Sequence, residues 1–442
     1  MVASNPGEEI ARAISAIPIF DVQSRLNGSR LAARGLHDLL LEPALQAELE
    51  AASLEQTLIG RRPDSEDAVD IVDWSLPRLS RSRNTLSSWS LRLLVSDLYN
   101  WDEPLTAASW RRLDALVRER ARDPHWPREV LRRAGILRLC TDHSGRGLGT
   151  ADNLLQYSLE WGAFFHSDTP EFDTALYELE RTWGRTPEPP ALTVPDQRPP
   201  TYRVLRSVQD IHTAAADYVR ALPVSELVAV TLRLGRTVRA TIPSDVEMES
   251  ALARRANAGS AEEEVYSAYV AEALLEALEV RAADLSVVVP ISGDRSGTRP
   301  GSAVATLTSW AARHPRLQLI CLPDSAELHA ALCVQARALP NMAVAGIPWG
   351  ATGLDDIGRA FARRLDLLPV GRQCAFSSDA GCVEWAYARS VIARRQWTAV
   401  LTARIELGEF NRDEALSLAR EAVFESARGW LRMTTESNQL RG

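Results

Sequence analysis

The sequence predicts an α/β fold, a (β/α)8 TIM-type barrel with an N-terminal helical elaboration, on three observations. Short apolar runs alternate with amphipathic helical stretches through the C-terminal half. The runs carry little polar alternation, as parallel strands covered by helices on both faces require. Five of them lie after residue 220 and at least two before it, a number that suits an eight-stranded barrel. An open, doubly wound sheet satisfies the same pattern, because strand closure leaves no mark on a sequence. With 442 residues, 45% of them hydrophobic, the chain can bury a large core, and residues 1–442 read as one such domain.

The elements follow in order. "IPIFDVQSRLNG", residues 17–28, reads as a buried strand that ends at a polar cluster and an Asn27-Gly28 turn. Residues 27–135 are mostly helical. "RLAARGLHDLLLEPALQAELEAAS" has apolar residues three and four apart and is broken at Pro43, and "TAASWRRLDALVRERARD" is strongly amphipathic behind Thr106 as an N-cap. "PREVLRRAGILRLCTD" switches period from helix to strand. Residues 186–200, "PEPPALTVPDQRPP" with the preceding Thr, are too rich in proline for regular structure and read as a surface excursion. The rhythm then becomes regular. "ELVAVTL", "LSVVVPI", "LQLICL", "MAVAGI" and "QCAFSS" are strands, separated by helices such as "EEEVYSAYVAEALLEALEVRA" and "SAELHAALCVQARAL".

Composition excludes several function classes. The formal charge is −8, from 50 basic and 58 acidic residues, with Arg favoured over Lys and no long run of one sign. Neither nucleic acid nor an anionic membrane is expected as a partner. No apolar segment is long enough to span a bilayer and the N-terminus lacks an apolar leader core, so a cytoplasmic protein is expected. The five cysteines (Cys140, Cys321, Cys333, Cys374, Cys382) are widely spaced, three of them inside apolar strands, and read as reduced buried thiols. The 12 tryptophans read as helix-packing anchors.

In a barrel the chemistry belongs just after each strand. The first strand ends in Asp21, Gln23 and Arg25, and "ILRLC" ends in Asp142 and His143. Later strands run into Asp294 and Arg295, Asp324, Trp349, and Ser378-Asp379. Carboxylates are plentiful there but His143 is the one histidine. The others are His37, His125, His166, His212, His314 and His329, of which His212, His314 and His329 fall on helical segments. There is no zinc spacing, no H-E-x-x-H and no G-x-S-x-G elbow. "HSGRGLGT" lacks the full dinucleotide fingerprint. "SGDRSGTRPGSAVATL" joins a strand end to a helix start and carries Arg295 and Arg299. That suits a carboxylate or phosphate, although Gly and Arg are also ordinary loop residues.

Near the last strand a resemblance emerges. "VGRQCAFSSDAGCVEWAYARSVIARRQWTAVL", followed by "ELGEFNRDEALSLAREAVFESARGWL", resembles the C-terminal end of uronate (glucuronate) isomerase-like members of the amidohydrolase superfamily. In those proteins a strand ends in Ser-Asp or Thr-Asp, whose carboxylate neighbours a metal and serves as general base; Asp379 matches it. "IPIFDVQSRLNG" is similar to the family's first strand, "RNTLSSW" and "DLYNWDEPLTAASW" to its helical region, and "LPNMAVAGIPW" to its seventh strand. The likeness is diffuse in the middle and specific over residues 369–430.

The departures fall on the metal site. Gln23 and Arg25 stand where the family carries His-x-His, Ile291 or Ser292 where its fifth strand carries an imidazole, and the region of Cys321 where its sixth does. Asp21 and Asp379 remain, which is too few ligands for a transition metal, and Arg25 is a fixed cation where the metal's charge would belong. The metal-binding motifs are degenerate, and neither metal nor cofactor is expected. Two accounts are open: decay into a non-catalytic pseudoenzyme, or replacement of the metal's charge by Arg25, which a charged barrel mouth favours.

The expectation is therefore an atypical, metal-independent enzyme acting on a small anionic molecule by isomerase, lyase or hydrolase chemistry. Asp379 and Asp21 are the catalytic candidates; Arg25, Gln23, Arg295, Asp142, His143 and Trp349 are candidates for substrate binding. A buried Asp379–Arg25 pair is part of that expectation. The alternatives are a ligand-binding or scaffold protein and an orthodox zinc enzyme; a homo-oligomer is compatible with all three.

Overall fold

The structure, a computed structural model, describes residues 6–52, 68–142, 154–165, 170–183, 205–234, 241–254, 260–291, 300–347, 349 and 353–433. The strands are β1 (Ile19–Asp21), β2 (Ile136–Asp142), β3 (Leu155–Glu160), β4 (Ala229–Thr231), β5 (Ser286–Ile291), β6 (Leu319–Pro323), β7 (Met342–Ala345) and β8 (Gln373–Cys374). They are ordered β1 to β8 in one sheet, and the registered pairs are parallel. Sequential parallel strands with helical crossovers are the (β/α)8 TIM-type arrangement that the alternating pattern predicts. The Pro-rich residues 186–200 lie outside the described residues. No helix among the described residues is long and apolar enough to cross a membrane.

The chain divides into two compact units. The first comprises residues 1–156 and 345–427. It opens with α1 (Pro6–Ala16) and β1, then α2 (Leu36–Leu40) and α3 (Pro43–Ala51). Pro43 breaks the helical run as expected: it occupies the first turn of α3, where its missing N–H costs nothing, and Glu42 becomes the N-cap. Helices α4 (Ala68–Arg81), α5 (Leu86–Tyr99), α6 (Trp110–Ala121) and α7 (Trp126–Ala134) complete the elaboration before β2. Thr106 is not the cap of α6, contrary to expectation. The helix starts at Trp110, because Thr106 and Ser109 first close a turn in which Ser109 Oγ accepts the Thr106 N–H (2.9 Å) and donates to Pro104 O (2.8 Å). The N-capping hydroxyl is consumed by the turn.

Beyond β7 the first unit continues through α14 (Leu354–Leu367), β8, α15 (Val383–Glu406) and α16 (Arg412–Arg420). Helix α15 packs against α1, α5, α7 and α14 and buries Glu384, Trp385 and Arg389 along one face. The chain past β8 runs beside the chain past β1: Val22 N donates to Phe376 O (3.3 Å) and Asp379 N to Gln23 O (3.0 Å). The segments that follow the last and the first strand are thus neighbours within this unit.

The second unit comprises residues 157–344 and 428–442. Its strands β4, β5 and β6 are almost wholly buried, consistent with cover on both faces. The crossovers include α11 (Ser260–Arg281), α12 (Pro300–Arg313) and α13 (Ala326–Ala338), α13 being N-capped by Ser325, whose side chain accepts the Leu328 N–H. Strand β3 escapes the sequence pattern, since Gln156, Tyr157 and Ser158 interrupt its apolar run and only Leu155 and Ser158 are buried. All five cysteines are buried and none forms a disulfide, and burial pushes the thiols of Cys321 and Cys374 upward, Cys374 to about 12.

Candidate functional site at the ends of the first and last strands

The sequence places Asp21, Gln23 and Arg25 on alternate positions after β1, and Ser377, Ser378 and Asp379 after β8. The structure brings these two segments together within the first unit. Asp21 Oδ1 accepts the backbone N–H groups of Ser378 (2.8 Å) and Gln23 (3.3 Å). Gln23 O accepts Asp379 N and the Ser377 hydroxyl (3.1 Å), and Arg25 N donates to Ala380 O (2.9 Å). Gln23 itself is buried, so it acts on the β8 end through its backbone carbonyl and holds the crossing together.

Asp379 has φ 47°, a left-handed conformation that aspartate adopts more readily than most non-glycine residues and that its surroundings here hold in place. Those surroundings are visible in three successive carbonyls. Trp349 Nε1 donates to Ser377 O (2.7 Å), Arg389 Nη1 to Ser378 O, and Arg25 to Asp379 O through both Nε (3.0 Å) and Nη2 (2.7 Å). Each donor comes from a different part of the chain: the end of β7, helix α15 and the end of β1. The indole N–H of Trp349 is thereby committed to the backbone.

Arg25 also pairs with the Asp379 carboxylate, Nε to Oδ1 at 2.9 Å. The expected pair therefore exists, but it is not buried. The Asp379 side chain is 44% exposed and that of Arg25 29%, because Asp379 lies on the outer side of its turn. The second half of the guanidinium reaches Glu42, Nη2 to Oε1 at 2.9 Å, and the same Oε1 accepts Arg389 Nη2 at 2.7 Å. Glu42 and Arg389 are both buried. Burial works against the charge on Arg25, but Asp379 and Glu42 outweigh it and hold its pKa above the ordinary value. An open cleft of about 160 Å³ is lined by Arg25, Arg30, Asp38, Glu42 and Gly381, with Ala33 and Leu41 as part of its apolar wall.

Asp21 is the contrasting carboxyl. It is fully buried, and Oδ2 has no hydrogen-bond partner among the described residues. Burial pushes its pKa up to about 7 against the opposing hydrogen bonds from Ser378 and Gln23, and the charge of Asp379 adds to the rise.

This donor set does not fit a divalent metal. Among the described residues no three His, Cys, Asp or Glu side chains converge on a common point. Gln23 offers an amide where an imidazole would be needed, and Arg25 sets a guanidinium against Asp379. Asp142 stands at the end of β2, beside the continuation of β1, where Thr141 Oγ1 donates to Leu26 O. His143, Arg295 and Arg299 lie outside the described residues, as do both Gly-rich loops apart from the helical end of the second.

Two buried members of the site escaped the sequence reading. Glu42 looked like a helix residue before a proline, and Arg389 like one of several arginines on a long amphipathic helix. A charged residue on the apolar face of α15, between Ala386 and Ile392, was the available signal. In the second unit, Arg233, two residues past β4, pairs with Glu160 at the end of β3 (3.0 Å), another strand-end pair without a sequence signature.

Comparison with known proteins agrees with the fold. The chain is similar to the glucuronate isomerase of Caulobacter crescentus (TM-score 0.74, 16% identity, 98% of this chain and 96% of that one). It is also similar to the uronate isomerases of Thermotoga maritima (TM-score 0.73, 11% identity, 96% and 97%) and Bacillus halodurans (TM-score 0.68, 14% identity, 97% and 96%). No family model matches the chain, and no curated protein matches it in sequence. The shared property is the fold over nearly the full length of each chain.

Proposed function

We propose that the chain is a metal-independent enzyme of this fold that moves a proton on a small anionic organic molecule, in isomerase, lyase or hydrolase chemistry. The observation that carries the reading is Asp379: a half-exposed carboxylate held in a left-handed turn, with Arg25 as its fixed counter-cation. Converging hydrogen bonds on the carbonyls of Ser377, Ser378 and Asp379 hold the carboxylate in one place, as a reacting group requires. Asp379 is the base. Arg25 supplies the positive charge that a metal supplies in relatives of this fold, and its Nη1, bonded to no described residue, faces an anionic group of the substrate. Asp21, whose pKa lies near neutrality, is the second titrating carboxyl.

A second reading draws on the same network. The Nε and Nη2 groups of Arg25 are already bonded within the protein, which suits a non-catalytic ligand-binding protein as well. One experiment separates the two. Purified protein is assayed for bound metal by mass spectrometry and incubated in D2O with a panel of small hydroxy and keto acids, with deuterium incorporation followed by proton NMR. The enzyme reading expects incorporation that survives chelator and is lost in Asp379→Asn. Stoichiometric metal or chelator-sensitive exchange overturns metal independence. Binding without exchange, unchanged in Asp379→Asn, supports the non-catalytic reading.

A further inference from the structure

We propose that Glu42 and Arg389 are positioning residues that set the place and orientation of Asp379, a deepening that rests on Asp379 being the reactive carboxylate. Glu42 Oε1 receives both guanidinium groups, Arg25 at 2.9 Å and Arg389 at 2.7 Å, and these two arginines hold the consecutive carbonyls of Asp379 and Ser378. Removing Glu42 therefore frees both clamps at once. The triad is built to stay in place. Glu42 is the N-cap of α3, fixed by the proline that follows it. Arg389 lies against the rings of Trp349 (5.3 Å) and Trp385 (5.8 Å), and Trp349 in turn holds Ser377 O. Trp385 Nε1 donates to Leu39 O (3.0 Å), tying α15 to α2 close to Glu42.

The N-terminal elaboration thus reaches the strand ends with a carboxylate that grips Arg25 through Nη2 and leaves Nε to Asp379. Glu42 and Arg389 form a buried ion pair, which is a costly way to gain stability, since apolar packing of similar volume does as well or better. Its geometry is accounted for by what it grips: the turn that forces Asp379 to φ 47°.

The test uses the full chain, labelled with 13C at the aspartate carboxyls, and the variants Glu42→Gln and Arg389→Met, with Asp379→Asn to assign the Asp379 resonance. Both variants should retain the native circular dichroism spectrum. Both should displace the Asp379 carboxyl resonance, in opposite directions because one loses a negative and the other a positive charge. The resonances of Asp355 and Asp413, exposed on α14 and α16, should stay in place. On any compound that exchanges deuterium, both variants should lower kcat at least tenfold with KM within about twofold. An unmoved Asp379 resonance in folded variants overturns the proposal whether or not Asp379 is reactive. A moved resonance with unchanged kcat retains the positioning and refutes the reading of Asp379 as the base. Loss of fold in both variants assigns the triad to stability alone and overturns it as well.

Discussion

Replacing Asp21 by Asn tests the buried carboxyl directly. Its pKa rises from 3.8 to about 7 in the folded protein, mainly through burial. A raised folded pKa in an acid means that the native state binds the proton more tightly than the unfolded chain. The resulting penalty is absent below about pH 4, grows as the pH climbs between the two values, and is complete above the folded one. Taking about 3 pKa units at about 1.4 kcal/mol each, the native state forgoes roughly 4 kcal/mol at pH 8. Asn keeps a carbonyl oxygen for the N–H groups of Ser378 and Gln23. Its amide N–H2 stands where Oδ2 has no partner, which costs about 1–3 kcal/mol at every pH. Asp21→Asn should therefore be the less stable protein at pH 4, where the penalty on Asp21 is still small, and the more stable one at pH 8.5, by about 1–3 kcal/mol. Urea unfolding followed by tryptophan fluorescence at both values reads the crossover. A difference that does not change with pH refutes a near-neutral Asp21, and a carboxyl resonance titrating near pH 4 refutes it independently.

Other outcomes follow from the same reasoning. In the second unit His314 donates between Glu272 (3.0 Å) and Glu279 (3.2 Å); burial opposes its charge, but the two carboxylates prevail and raise its pKa. Its stabilisation should be fully present below pH 6.5 and fade as the pH rises through the raised value, so His314→Gln should cost about 3 kcal/mol at pH 6 and clearly less at pH 9, measured by urea unfolding. Gly135 ends α7 at φ 67°, and a Cβ there would lie 2.1 Å from Arg394 Nη2. Arg394 donates to Ile14 O and Ala134 O, joining the ends of α1 and α7. Gly135→Ala should therefore cost about 2–3 kcal/mol, more than the 1–2 kcal/mol of the left-handed backbone alone. An effect of Gly135→Ala below about 1 kcal/mol in thermal or urea unfolding would show that Arg394 yields without loss.

Periodicity made the fold readable because strands buried on both faces must be apolar and crossover helices must be amphipathic. These demands leave marks on neighbouring residues, as in "LSVVVPI" and in "LDDIGRAFARRLDL" of α14. Strand β3 was missed because Gln156, Tyr157 and Ser158 break the apolar run, so its place in the sheet comes from pairing, such as Ser158 with Ala229 and Leu159 with Val230, rather than from pattern. Asp21, Gln23, Arg25 and Asp379 could be singled out individually, since each follows an apolar run that ends in polar residues.

Their relation could not be read. Arg25 and Asp379 are 354 positions apart, and nothing local to either states that a guanidinium spans Asp379 and Glu42 or that Arg389 completes the clamp. The sequence by itself determined the alternation of strand and helix and the residue types, Asp21, Gln23, Arg25 and Asp379, that stand at the ends of the first and last strands. Only the tertiary structure decided that one carboxyl is fully buried and pushed to about 7 while the other stands half-exposed against an arginine. The reason is physical. Side-chain type is a local property, whereas desolvation and ion pairing depend on which distant segments the fold brings within about 4 Å.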